Sequence, residues 1–167
     1  MSEVSEQAIL HVELADYAAN DPTGKLNMIG GGVRSVGYEP QQGITNRFSV
    51  VGTVTIPSEL CPADLVVEFS LLHASGELVT LPNVTGGAPQ NLRVGQAARV
   101  EKPSNPMIPS FPPEIPGVYT MVLDFSTGLP LAPGQVYAWQ LRVDGDAQRT
   151  FTYHFFVPSG PTPPVLG

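Results

Sequence analysis

Apolar and polar side chains alternate along most of this chain, the period-two signature of strands with one buried face. Leu10, Val12 and Leu14 alternate with His11 and Glu13, which predicts a first strand over Ala8 to Tyr17. Asn20-Asp21-Pro22-Thr23-Gly24 concentrates turn-forming residues and ends it. A second strand starts at Leu26, crosses Gly30-Gly31-Gly32 and resumes through Val33 to Tyr38. Phe48, Val50, Val54 and Ile56 share one face of a third, with Gly52 between them. Leu65, Val67, Phe69 and Leu71 line a fourth, and Ser75-Gly76 turns the chain into Glu77 to Leu81. Towards the C-terminus Tyr119, Met121, Leu123 and Phe125 alternate in one strand, and Tyr137, Trp139, Leu141 and Val143 in the next. Asp144-Gly145-Asp146 is a hairpin turn leading to Phe151, Tyr153, Phe155 and Val157.

These spacings predict an all-β fold, a two-sheet antiparallel β-sandwich of the Ig-like or C2-like kind with about seven or eight strands. Long helical periodicity is absent, and no strand–helix–strand spacing supports a parallel α/β sheet. Between Pro82 and Gly117 the alternation fails. Eight prolines fall there, and none can donate to a central ladder. One short strand fits between Leu92 and Val100, while Pro103 to Pro116 reads as a long surface loop, a kind of segment that often carries function. Pro158 to Gly167 is proline-rich again and too poor in apolar residues to fold alone. The expected division is an N-terminal arm over residues 1–7, one sandwich domain over 8–157 carrying the loop 103–116, and an extended tail over 158–167.

Composition narrows the function. Of the 167 residues, 42 % are hydrophobic and only 14 % are charged, well below the roughly 25 % common in soluble domains. Such a surface leaves much neutral area for contact with another protein. The net charge is −7 and the eight Lys and Arg are scattered. A nucleic-acid-binding face needs them clustered, so that class is disfavoured. The apolar runs fall far short of the roughly 20 residues of a membrane helix. Met1-Ser2-Glu3-Val4-Ser5-Glu6 has neither a basic start nor an apolar stretch, so no secretory signal is expected. Cys61 is the single cysteine, which excludes an internal disulfide and fits folding in a reducing cytoplasm.

Candidate chemistry is sparse. Gly30-Gly31-Gly32 is followed by Val33-Arg34-Ser35-Val36 and not by the Lys-Ser/Thr of a phosphate loop, so a bulge or a close backbone approach is expected. His11, His73 and His154 lie far apart, without metal-ligand spacing. Cys61 sits in Glu59-Leu60-Cys61-Pro62 with nothing to activate it and reads as a small apolar filler. Asp16, Asp21, Asp144 and Asp146 fall at expected strand ends, where they could gather round Ca²⁺ or, more simply, bond to their own turns. The aromatic row Tyr137, Trp139, Phe151, Tyr153 and Phe155 could be a base-stacking platform, but acidic charge and inward alternation favour core packing. No catalytic residue, cofactor or metal ligand is expected.

Two stretches carry a resemblance. Leu14-Ala15-Asp16-Tyr17-Ala18 with Gly24-Lys25-Leu26-Asn27-Met28-Ile29-Gly30-Gly31-Gly32 resembles the opening of an uncharacterised β-sandwich family of actinobacterial and bacteriophage proteins. Leu131-Ala132-Pro133-Gly134-Gln135-Val136-Tyr137-Ala138-Trp139-Gln140-Leu141-Arg142-Val143-Asp144-Gly145 is similar to its proline-glycine turn, aromatic strand and closing Asp-Gly hairpin. The resemblance spans about residues 8 to 157 and implies a fold; the family lends no catalytic residues. It points towards phage and bacterial genomes.

The expectation is a non-enzymatic structural protein of a larger assembly, a virion accessory or capsid decoration protein made in the host cytoplasm. Its partners would be protein subunits, copies of itself included, with no nucleic acid and no membrane. The contacts expected are Met107, Ile108 and Phe111 on the loop and Val165 and Leu166 on the tail, apolar side chains on segments that cannot bury them in a core strand. The alternative is a cytoplasmic β-sandwich binding module for a small ligand or a single protein partner, which a deep apolar pocket between the sheets would favour.

Overall fold

The computed structural model describes residues 3–82 and 87–160. A one-turn helix α1 (Glu3–Gln7) precedes β1 (Ile9–Asn20), β2 (Leu26–Gly31), β3 (Tyr38–Glu39), β4 (Ile44–Thr45) and β5 (Phe48–Ile56). A 3₁₀ turn (Ser58–Leu60) leads to β6 (Ala63–His73), β7 (Thr80–Leu81), β8 (Gln90–Asn91) and β9 (Arg93–Val100). Then come β10 (Gly117–Phe125), β11 (Gln135–Val143) and β12 (Thr150–Val157). Eight strands make two four-stranded antiparallel sheets, ordered β10-β5-β1-β2 and β12-β11-β6-β9. The remaining four pair as the ribbons β3-β4 and β7-β8. The alternation therefore yields the sandwich it predicts, but with twelve strands among the described residues instead of seven or eight. The additional strands are two residues long, too short to leave an alternating pattern.

The core lies between the sheets. Val12, Leu14, Phe48, Val50, Val54, Ile56, Leu65, Val67, Phe69, Leu71, Leu141 and Val143 are all buried. At the centre, Trp139 stacks on Phe125 with centroids 5.4 Å apart and takes the edge of Phe69 at 6.1 Å. Gly52 explains itself here, because a Cβ at that position would overlap the Phe69 ring coming from the opposite sheet. Tyr137, Tyr153 and Phe155 are buried with them, so the aromatic row is core and not a stacking platform.

The glycine cluster is where the chain changes sheets. Gly30 and Gly32 take φ of 64° and 79°, a left-handed conformation that glycine adopts without strain. β2 stops at Gly31, and Val33 N makes a last bond to Leu14 O at 3.0 Å. The chain then crosses to β12 instead of resuming the expected strand. Val36 N donates to Phe156 O, and Phe156 N donates to Arg34 O, both at 2.9 Å. The Tyr153 hydroxyl donates to Val33 O at 2.9 Å, and the Arg34 guanidinium lies 4.4 Å from the Tyr153 ring centre. This crossing segment covers the open edge of β12.

β1 ends three residues later than the pattern predicts, so Asp16 lies inside a strand. Beyond Ala15 the β1–β2 hairpin folds back over the outer face of β5 and β10. Ala18 N donates to Ser49 Oγ at 3.0 Å, and Ser49 Oγ donates to Asp124 Oδ1 at 2.8 Å. Asn20 Nδ2 donates to Thr120 O at 3.1 Å. Ala15 and Ala18 are small enough for this close approach. They leave Val51, on the outward side of β5, only 2 % exposed.

Candidate protein-contact surface

The loop that leaves β9 and enters β10 is built from two tight turns. Asn105 Oδ1 accepts from Met107 N at 2.8 Å and Asn105 O from Ile108 N at 2.9 Å, the Asx-turn arrangement that suits asparagine. Ile115 N donates to Pro112 O at 3.1 Å in the second turn. Prolines at 103, 106, 109, 112, 113 and 116 fix φ along the segment. A loop already restrained in this way loses less entropy when it docks.

The first turn places Met107 at its apex, 89 % exposed, with Ile108 beside it at 42 %. Phe111 is half-buried and serves the loop as much as its surface. Val165 and Leu166 lie outside the described residues. The tail begins against its own domain: Ser159 lies close to Gly134, and Gly160 lies by the Pro40 ring.

A second apolar surface escaped the sequence. Tyr17, Leu26, Met28 and Ile29 on the β1–β2 hairpin are all exposed, Ile29 at 67 %. The Arg47 guanidinium lies 5.4 Å from the Tyr17 ring centre. Period-two alternation identifies a strand, but it does not reveal that a hairpin leaves the core and carries these apolar side chains into solvent. The glycine triplet was the available signal, since it marks where the strand parts from its sheet.

The polar residues mostly do structural work. Glu68, on the outer face of β6, pairs with Arg93 on β9 at 2.6 Å and with Arg142 on β11, which ties three strands together. Arg99 holds Asp64 at 2.9 Å and Glu101 at 2.6 Å. The exposed Arg99 pairs contribute little to stability, but all these pairs occupy cations that a phosphate would need. His11 lies by Glu13 at 3.9 Å and against Phe151. His73 and His154 flank β11 in successive register positions, on opposite faces of the sheet. Among the described residues no three His, Cys, Asp or Glu side chains converge as metal ligands.

The aspartates bond within or beside turns. Asp144 Oδ1 accepts from Val66 N at 2.8 Å, and Asp146 Oδ1 accepts from Gln148 N at 2.9 Å. Asp21 Oδ1 accepts from the Thr23 hydroxyl at 2.6 Å, Thr23 N at 2.8 Å and Lys25 N at 2.9 Å. The Thr23 hydroxyl foremost, then the Lys25 amide, hold the Asp21 carboxyl below the usual aspartate value. A depressed folded value means that the turn is favoured at neutral pH. That contribution fades only below the ordinary aspartate range, as pH falls through the lowered value. Amide exchange at Thr23 and Lys25 is therefore expected to stay slow to about pH 4 and to accelerate below it. In Asp21→Ala it is expected to be fast at every pH. Protection unchanged in that variant would contradict the assignment.

No protein-family model matches the chain, and no curated protein matches it.

Proposed function

We propose that this chain is a non-enzymatic structural protein of a larger assembly, a bacteriophage virion accessory or capsid decoration protein. It holds neighbouring subunits, copies of itself among them, through the loop 103–116 and the C-terminal tail, without nucleic acid, membrane or cofactor. It reaches the virion after synthesis in the host cytoplasm. The observation that carries this reading is Met107, an almost fully exposed apolar side chain at the apex of a proline-braced turn. Methionine is favoured at protein interfaces, and a rigid turn presents it at low entropic cost. The sparse charge and the likeness to a phage-associated sandwich family support the same reading.

The test replaces Met107 and Ile108 together by Asp and, separately, deletes Pro158 to Gly167. Assembly is expected to weaken in both variants while circular dichroism and the melting temperature stay as in the parent chain. Unchanged assembly in both would sink the proposal. A second reading, a cytoplasmic module for a small ligand or one protein partner, rests on a shallow cleft of about 500 Å³ lined by Ala18, Asn20, Gln96, Tyr119 and Thr120. It gains ground if those variants assemble normally.

A further inference from the structure

β2 is the last strand of its sheet, and all six of its residues are exposed. Its ladder with β1 begins where Asp21 N donates to Lys25 O. From there, alternation turns the peptide groups of Lys25, Asn27 and Ile29 towards β1, and those of Leu26 and Met28 outward. Sheet edges are normally guarded by proline, by central charges or by a covering segment. The β12 edge has such a cover in residues 33–36, whereas β2 reads Leu-Asn-Met-Ile-Gly-Gly, with neither charge nor proline.

We propose that β2 pairs antiparallel with β2 of a second copy of this chain, joining two four-stranded sheets into one of eight. The register centred on the outward groups of Met28 places Met28 opposite Met28 on the two-fold axis and brings Leu26 over Gly30, beside the Asp16 carboxylate. The same register puts Lys25 opposite Gly31.

Charge complementarity selects a second copy as the occupant. The Glu13 carboxylate lies 3.3 Å from the place a Cβ on Gly31 would take, and the Asp16 carboxylate crowds Gly30. With glycine at 31, Lys25 of one copy reaches the Glu13 carboxylate of the other, and the two-fold axis repeats the pair. A cation at one end of the strand and a carboxylate at the other make the edge complementary to itself, as an isologous contact requires. This offsets the general repulsion between two copies of an acidic chain. The surface uses neither the loop 103–116 nor the tail, so it stands apart from the function proposed above.

Light scattering on the full chain tests it. The parent is expected at twice the 17.7 kDa of one chain in the micromolar range. Met28→Pro removes an outward amide that β1 does not use, and it is expected to give a monomer with an unchanged melting temperature. Lys25→Glu is expected to weaken pairing about tenfold, and adding Glu13→Lys in the same chain is expected to restore it. A parent that stays monomeric to several hundred micromolar overturns the proposal. So does a dimer indifferent to both Met28→Pro and Lys25→Glu, or one that only Met107→Asp dissociates. A parent chain that dimerises but binds no large particle would instead count against the function proposed above and leave this pairing standing.

Discussion

Trp139→Ala is expected to lower stability by about 3–5 kcal/mol, the range for removing a large buried aromatic. The ring is fully buried between Phe125 and Phe69, where both sheets meet, so neither backbone can close the cavity without breaking register. Domains of this size are stable by only about 5–15 kcal/mol, so the variant is expected to lose much of its cooperative transition. Trp139→Phe should cost less than its lost volume suggests. The indole Nε1 is buried without a hydrogen-bond partner among the described groups, and removing an unsatisfied donor regains part of its desolvation. Urea unfolding followed by far-ultraviolet circular dichroism gives both values. An Ala variant within 1 kcal/mol of the parent, smaller than any such truncation, would show that the two sheets do not pack around this ring.

Gly128→Ala is expected to cost on the order of 3 kcal/mol, although it adds a single methyl group. Gly128 has φ of 72°, where an L side chain costs about 1–2 kcal/mol. A Cβ there would also overlap Thr45 O, and that carbonyl cannot retreat. Thr45 is buried, its N–H donates to Leu129 O at 2.8 Å, and its Oγ1 accepts from Leu129 N at 2.9 Å. Gly24→Ala is the control. Gly24 has φ of 82° but only open space around it, so it should show the conformational cost alone, about 1 kcal/mol. Equal losses at the two sites in thermal unfolding would mean that the Thr45 contact contributes nothing.

The long strands were legible because each buries one face. Val12 and Leu14, Val50 to Ile56 and Tyr137 to Val143 mark their strands residue by residue, and Gly52 fits once Phe69 is seen opposite. The course of residues 30–36 was not legible. A strand that continues in its own sheet and one that crosses to the other share the same alternation. Only the left-handed glycines and the bonds to Phe156 distinguish them. The fold-back of the hairpin was hidden for a similar reason, since Ala15 and Ala18 read as neutral strand residues and their smallness matters only once the outer face of β5 is known. On the loop, the prolines announced an irregular segment and Met107 stood out as an apolar residue without a core. The Asx-turn that lifts it to the apex depends on the Asn105 side chain, and a proline count does not reveal it.

The most direct measurement is the native mass of the intact chain by light scattering at micromolar concentration, alone and after incubation with phage particles that are then pelleted. A stable oligomer is expected, or a chain that sediments with the particles, with particle binding weakened by replacing Met107 and Ile108 with Asp. A monomer of 17.7 kDa that ignores every particle would contradict it.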